Sequence, residues 1–155
     1  MRYAVANAPN QIEVRETVRI TMIQTNAREH KSANLKAVSE LIEAAVKTDK
    51  PDMIVLPEQF DILAGSKEKI AAAEMVPGGP AYELCRMAAI KHHVAIHAGS
   101  FTEYADARRA YNTTVVFDRQ GKEIAKYRKI HLFDVTTPDG SVYAFTAMVR
   151  SSVAI

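Results

Sequence analysis

Cysteine occurs once in these 155 residues, as Cys85, so no disulfide can close within the chain. A reducing, cytoplasmic setting is the expectation. Neither sign of charge is in excess: 20 basic and 18 acidic residues leave a formal net charge of +2, spread without a basic block. A nucleic-acid partner therefore has no electrostatic support. Long hydrophobic runs are missing too, although 48% of the residues are apolar. A membrane span needs about 20 consecutive apolar residues, and no run comes near that. Near the start, Asn7, Pro9, Asn10 and Gln11 interrupt any signal-peptide core. Internal repeats and low-complexity stretches are absent, and Gly78-Gly79 lacks the spacing of a phosphate-binding loop. What remains is the composition of an ordinary globular domain, of a length that buries about two thirds of its unfolded surface.

What is present is an alternation of strand and helix signals. Residues 1–17 have no clear periodicity and are expected to form a leader or arm, with the domain running over 18–155. Val18 to Ile23 predicts a strand. Ser32 is expected to cap a helix with the apolar stripe Leu35, Val38, Leu41, Ile42, Ala45 and Val46, stopped by Pro51. Met53 to Leu56 is apolar on both faces, as a strand covered on both sides requires. A weak helix is expected over 67–73, and Pro80 is placed to open another over 81–91. Val94 to Phe101 predicts the next strand. Tyr111 to Asp118 and Glu123 to Leu132 flank Arg119-Gln120-Gly121-Lys122, a hairpin signal. This order favours an α/β fold, a parallel sheet with helices on its face and antiparallel strands at one side.

Two residues stand out within that frame. Glu58 follows the apolar run in Leu56-Pro57-Glu58, and sites in open α/β sheets gather beyond the carboxyl ends of strands. Low-dielectric surroundings there would raise its pKa toward the range of a general base. Taken alone, a glutamate at a loop start is more often a solvated surface residue. Lys129 lies 71 positions later, within Lys126-Tyr127-Arg128-Lys129-Ile130-His131-Leu132-Phe133. Alternation puts Lys129, His131 and Phe133 on one face of that segment and Arg128, Ile130 and Leu132 on the other. A lysine so placed can point into a pocket and hold an oxyanion. The plain alternative is a basic edge strand that resists pairing. Cys85 sits inside a predicted helix, where a thiol behaves as a small hydrophobe. His92, His93 and His97 lack the convergent ligand set that zinc needs, so no metal is expected. Asn112-Thr113-Thr114 matches a glycosylation sequon, inert in a cytoplasmic protein.

Leu56-Pro57-Glu58, followed by the segment from Gly121 to Asp134, closely resembles the nitrilase superfamily of carbon–nitrogen hydrolases, nearest its amidase and omega-amidase-like branches. His97-Ala98-Gly99-Ser100-Phe101-Thr102-Glu103 and Tyr111-Asn112-Thr113 also fit, and the resemblance runs from about Val18 to Val142. It implies a nitrilase-like αββα sandwich, of which this chain would be roughly the first half. It also implies hydrolysis of a small non-peptide amide or nitrile by a Glu-Lys-Cys triad. Glu58 would be the general base and Lys129 the oxyanion holder, with no metal and no organic cofactor.

The match departs from the family pattern in two places. The family's cysteine lies well after the lysine block, at a strand–helix turn, and nothing of that kind occurs before Ile155. Tyr143-Ala144-Phe145-Thr146 aligns with the family's Glu-Ser pair, which puts Phe145 where a supporting carboxylate belongs. The expectation is a chain truncated before its nucleophile and inactive alone. The alternative is a non-enzymatic interaction protein that docks on itself or on a complete relative. Relatives commonly associate, so a homo-oligomer is expected.

Overall fold

The apolar stripe of residues 35–46 and the solid apolar run at 53–56 each need a partner surface. They meet in one core in the computed structural model, which describes residues 17–132, 134–139 and 142–144. The order is β1 (Ile20–Met22), α1 (Lys31–Asp49), β2 (Met53–Val55), α2 (Ser66–Ala71), α3 (Pro80–His92), β3 (Ala95–His97), β4 (Phe101–Asp106), β5 (Arg109–Phe117), β6 (Glu123–Arg128), β7 (Asp134–Thr136) and β8 (Val142–Ala144). Strands β1, β2 and β3 pair in parallel, and β3 then meets β5 antiparallel. Strand β5 runs the length of the antiparallel side, with β3 and β4 in line along one edge and β6 along the other. β7 and β8 form a separate two-stranded ribbon. The expected α/β fold with an antiparallel side is what forms.

Ile54, Ile96, Val115 and Phe117 share one buried cluster with Val38 and Ile42 of α1 and Ala81, Cys85 and Ala89 of α3. Each fully buried Ile, Val or Phe there contributes roughly 1.5–3 kcal/mol over its exposed state. On β1, Thr21 donates its hydroxyl to Asp49 of α1, so Ile20 and Met22 face the other way. Met22 is 80% exposed, and that face of the sheet is open.

Several expectations need correction. No side chain caps α1 at His30, and Ser32 lies inside its first turn. Tertiary bonds hold the helix start instead. Asn34 Nδ2 donates to the carbonyls of Arg28 and Asp61, and its Oδ1 accepts the Arg28 N–H. Leu41 is exposed rather than part of the stripe, because 100° per residue carries it past the buried face. The strand expected over 94–101 is broken between His97 and Phe101, where Gly99 has a φ of +45°. The piece beyond the break, β4, forms a hairpin with β5 that the turn residues did not announce. The expected arm over 1–17 lies, apart from Thr17, outside the described residues, as do Phe133 and Phe145.

Candidate active site

The break between β3 and β4 opens a slot, and the chain after β2 lies along it. Leu56 N–H donates to the His97 carbonyl at 3.0 Å, and Ser100 N–H donates to the Pro57 carbonyl at 3.1 Å. Gln59 N–H reaches Ser100 Oγ at 3.0 Å, and Phe60 N–H reaches the Ser100 carbonyl at 3.2 Å. Gln59 sits in the left-handed region at φ +52°, with its side-chain oxygen taking the Lys69 ammonium. Phe60 is fully buried with its ring edge-on to Phe101. Backbone anchored on both sides thus projects Glu58 at a fixed place, just beyond the carboxyl end of β2, where the sequence expects it.

Lys129 arrives from the opposite edge. The strand expected over 123–132 stops at Arg128, yet Lys129 N–H still donates to the Asn112 carbonyl at 2.8 Å. That rung keeps the alternation alive. Arg128 turns to the other face, where buried Glu103 accepts its Nε at 2.8 Å and its Nη2 at 2.5 Å. Thr113 Oγ1 and Lys126 Nζ join the same carboxylate at 2.5 and 3.3 Å, and the guanidinium lies over the Tyr111 ring. Lys129 is left to point across the slot, and its Nζ donates to Glu58 Oε1 at 2.8 Å. Asn112 Nδ2 donates to that same oxygen at 2.7 Å. Both expected site residues therefore meet. Around them lies a cavity of about 490 Å³ whose lining includes His97, Tyr127 and His131.

Known proteins share both this architecture and the sequence that builds it. The carbon–nitrogen hydrolase family model matches residues 19–152. The chain belongs to the carbon–nitrogen hydrolase family. It is 36% identical over 131 residues to the deaminated glutathione amidase of Synechocystis, covering 83% of this chain and 47% of that protein. Against the omega-amidase of Homo sapiens it is 38% identical over 121 residues, covering 77% of this chain and 42% of the relative. The NitFhit protein of C. elegans superposes with a TM-score of 0.76 at 27% identity, over 89% of this chain and 34% of that one. The fold is nitrilase-like, and the relatives place the chain in the amidase-like branch. The chain spans about half the length of the curated relatives it matches.

For this carbon–nitrogen hydrolase chain, the electrostatics overturn one expectation. Burial was expected to raise the pKa of Glu58. Instead the hydrogen bond from Lys129 holds its carboxyl below the usual glutamate range, outweighing the modest desolvation, and the Asn112 amide adds to the effect. Desolvation falls short of that hydrogen bond because the Glu58 side chain is 58% accessible, so water still solvates the anion. Replacing Lys129 by methionine is expected to move the Glu58 titration upward, toward that of a free glutamate. A ¹³C NMR titration of the side-chain carboxyl reads this directly, and an unmoved midpoint would show that the lysine does not control the charge.

The arrangement offers an ionised carboxylate able to take a proton and an ammonium able to hold a negative oxygen. A thiol does not stand beside them among the described residues. Cys85 is fully buried in α3, where desolvation pushes its pKa up and keeps the sulfur protonated. His97 lines the cavity and accepts the Gly99 N–H at Nδ1, while His92 and His93 end α3. No group of three or more His, Cys, Asp or Glu that suits a metal occurs among the described residues. None of the described helices is long and apolar enough to cross a membrane. In the sequence, Asn112 stands only within a family pattern and a sequon. The register of β5 with β6, Thr113 opposite Arg128, is what sets it beside Lys129.

Proposed function

We propose that this chain carries the proton-transfer and oxyanion-holding half of a thiol-dependent amidase site for small non-peptide amides or nitriles. The observation that carries the reading is the 2.8 Å contact of Lys129 Nζ with Glu58 Oε1 at the cavity. In the reaction, Glu58 takes the proton of an incoming thiol as sulfur bonds to the amide carbon. The Lys129 ammonium holds the resulting oxyanion. Collapse breaks the carbon–nitrogen bond, and the proton on Glu58 leaves with ammonia. Water, deprotonated by the same carboxylate, then hydrolyses the thioester. The thiol is not Cys85, and no other cysteine occurs in residues 1–155, so these residues by themselves are expected to show no turnover. We place it in the cytoplasm, in keeping with a single buried thiol.

The test is ammonia release from small aliphatic amides, by the chain alone and after mixing with the cysteine-bearing second half of a complete relative. Turnover is expected only in the mixture, and is expected to vanish with Glu58→Gln. Turnover by the chain alone that Glu58→Gln abolishes would sink the incomplete-site reading.

A second reading rests on the open sheet face, where Ile20, Met22 and Tyr127 are exposed. Here the chain is an interaction protein that docks on a second copy or a complete relative through that face. Analytical ultracentrifugation discriminates: a monomer at all concentrations leaves this reading without support.

A further inference from the structure

We infer that Asn112 is the positioning residue of the Glu58–Lys129 pair, tying both members to one point of the sheet and directing proton transfer to Glu58 Oε2. Three contacts carry this. The Asn112 side chain donates to Glu58 Oε1 at 2.7 Å, and its carbonyl accepts the Lys129 N–H at 2.8 Å. Lys129 Nζ closes the triangle on the same Oε1 at 2.8 Å. Asn112 is itself 6% exposed and sits in the middle of β5, opposite Thr102 of β4. The triangle therefore rests on rigid backbone rather than on a surface loop. With two donors on Oε1, that oxygen is committed as an acceptor, and an arriving proton goes to Oε2. A side chain without an N–H at position 112 would let the carboxylate rotate between its two oxygens. The lysine alone does not fix a plane.

This assignment rests on the amidase reading, but its test does not require turnover. In the full chain, the Glu58 carboxyl is followed by ¹³C NMR against pH in wild type, Asn112→Ser and Asn112→Asp. Asn112→Ser keeps the backbone rung and removes the reach to Glu58, so an upward shift of the Glu58 midpoint is expected. Asn112→Asp keeps the volume and sets a second carboxylate against the first, so a larger upward shift is expected. A structural role alone would lower the unfolding midpoint and leave Glu58 titrating as in wild type, and that result overturns the assignment. If Asn112→Ser does not fold, the Asp variant decides by the same criterion. No ammonia release even in the mixture with the cysteine-bearing half, together with an intact shift, removes the amidase reading and leaves the pairing by Asn112 standing.

Discussion

Glu103→Ala is expected to cost about 1–3 kcal/mol, the range for losing charged hydrogen bonds to a buried carboxylate whose cationic partners, Lys126 and Arg128, still reach solvent. That is a large share of the 5–15 kcal/mol that holds an ordinary domain together. Glu103 is 2% exposed and accepts from Arg128, Lys126 and Thr113, which lie on two different strands. Burial is the strongest influence on its carboxyl and pushes the pKa up. The Arg128 and Thr113 hydrogen bonds and the charges of Lys126 and Arg128 reverse that, and the net effect is a lowered pKa. A carboxyl with a folded pKa below its unfolded value, about 4.3, stabilises the fold above that pH. The contribution is lost as pH falls through the folded pKa. The stability gap between wild type and Glu103→Gln should therefore be full at pH 7 and shrink below about pH 4. Urea midpoints measured across that range check both the size and the sign. Equal midpoints at pH 7 would show the cluster to be dispensable. Because Arg128 precedes Lys129, the same substitution should also loosen the lysine in the slot.

The parts of the site legible in the sequence were those that depend on local pattern. Glu58 follows an apolar run, and strand alternation separates Lys129 from Arg128. Each alone also fits a surface residue, and only the two blocks in order, with their family resemblance, single the pair out. Alternation survives past the end of β6 because one more backbone rung, Lys129 to Asn112, keeps the chain extended. The positions that escaped depend on tertiary register. Nothing in Tyr111-Asn112-Thr113 says that Asn112 will lie opposite the lysine block, since that follows from how β5 pairs with β6. The unforeseen hairpin of β4 and β5 has a similar cause. Its turn is Asp106-Ala107-Arg108-Arg109, with no glycine or proline, and side-chain bonds from Asp106 to Arg108 and Arg109 close it. The Glu58 charge departs from expectation because burial of the strand does not extend to the residue after it. Leu56 is buried, whereas Glu58, two positions on, reaches solvent and a lysine.

Gly99→Ala is expected to damage the site more than alanine at any other described glycine. Gly99 holds φ +45°, and an ideal Cβ there would stand 2.0 Å from the Pro57 carbonyl oxygen and 2.4 Å from that of Leu56. Both obstacles are backbone atoms of the segment that presents Glu58, and hydrogen bonding between Ser100 N–H and Pro57 O holds that segment in place. The clash is relieved only by prising residues 56–58 off the strand break. Overpacking costs roughly 1–3 kcal/mol, and left-handed backbone adds about 1–2 kcal/mol for a side chain with a Cβ. Gly78 separates the two contributions, because its φ is +102° and a Cβ there meets nothing within 4 Å. Gly78→Ala should carry backbone strain alone, whereas Gly99→Ala should carry strain and displacement. In the folded fraction of Gly99→Ala, Glu58 should titrate like a free glutamate, and adding Lys129→Met should no longer move it. If instead both alanines lower stability equally and Glu58 keeps its depressed midpoint, the close approach at Gly99 is not what aims the carboxylate. The hydrogen bonds from Asn112 and Lys129 would then set its position by themselves.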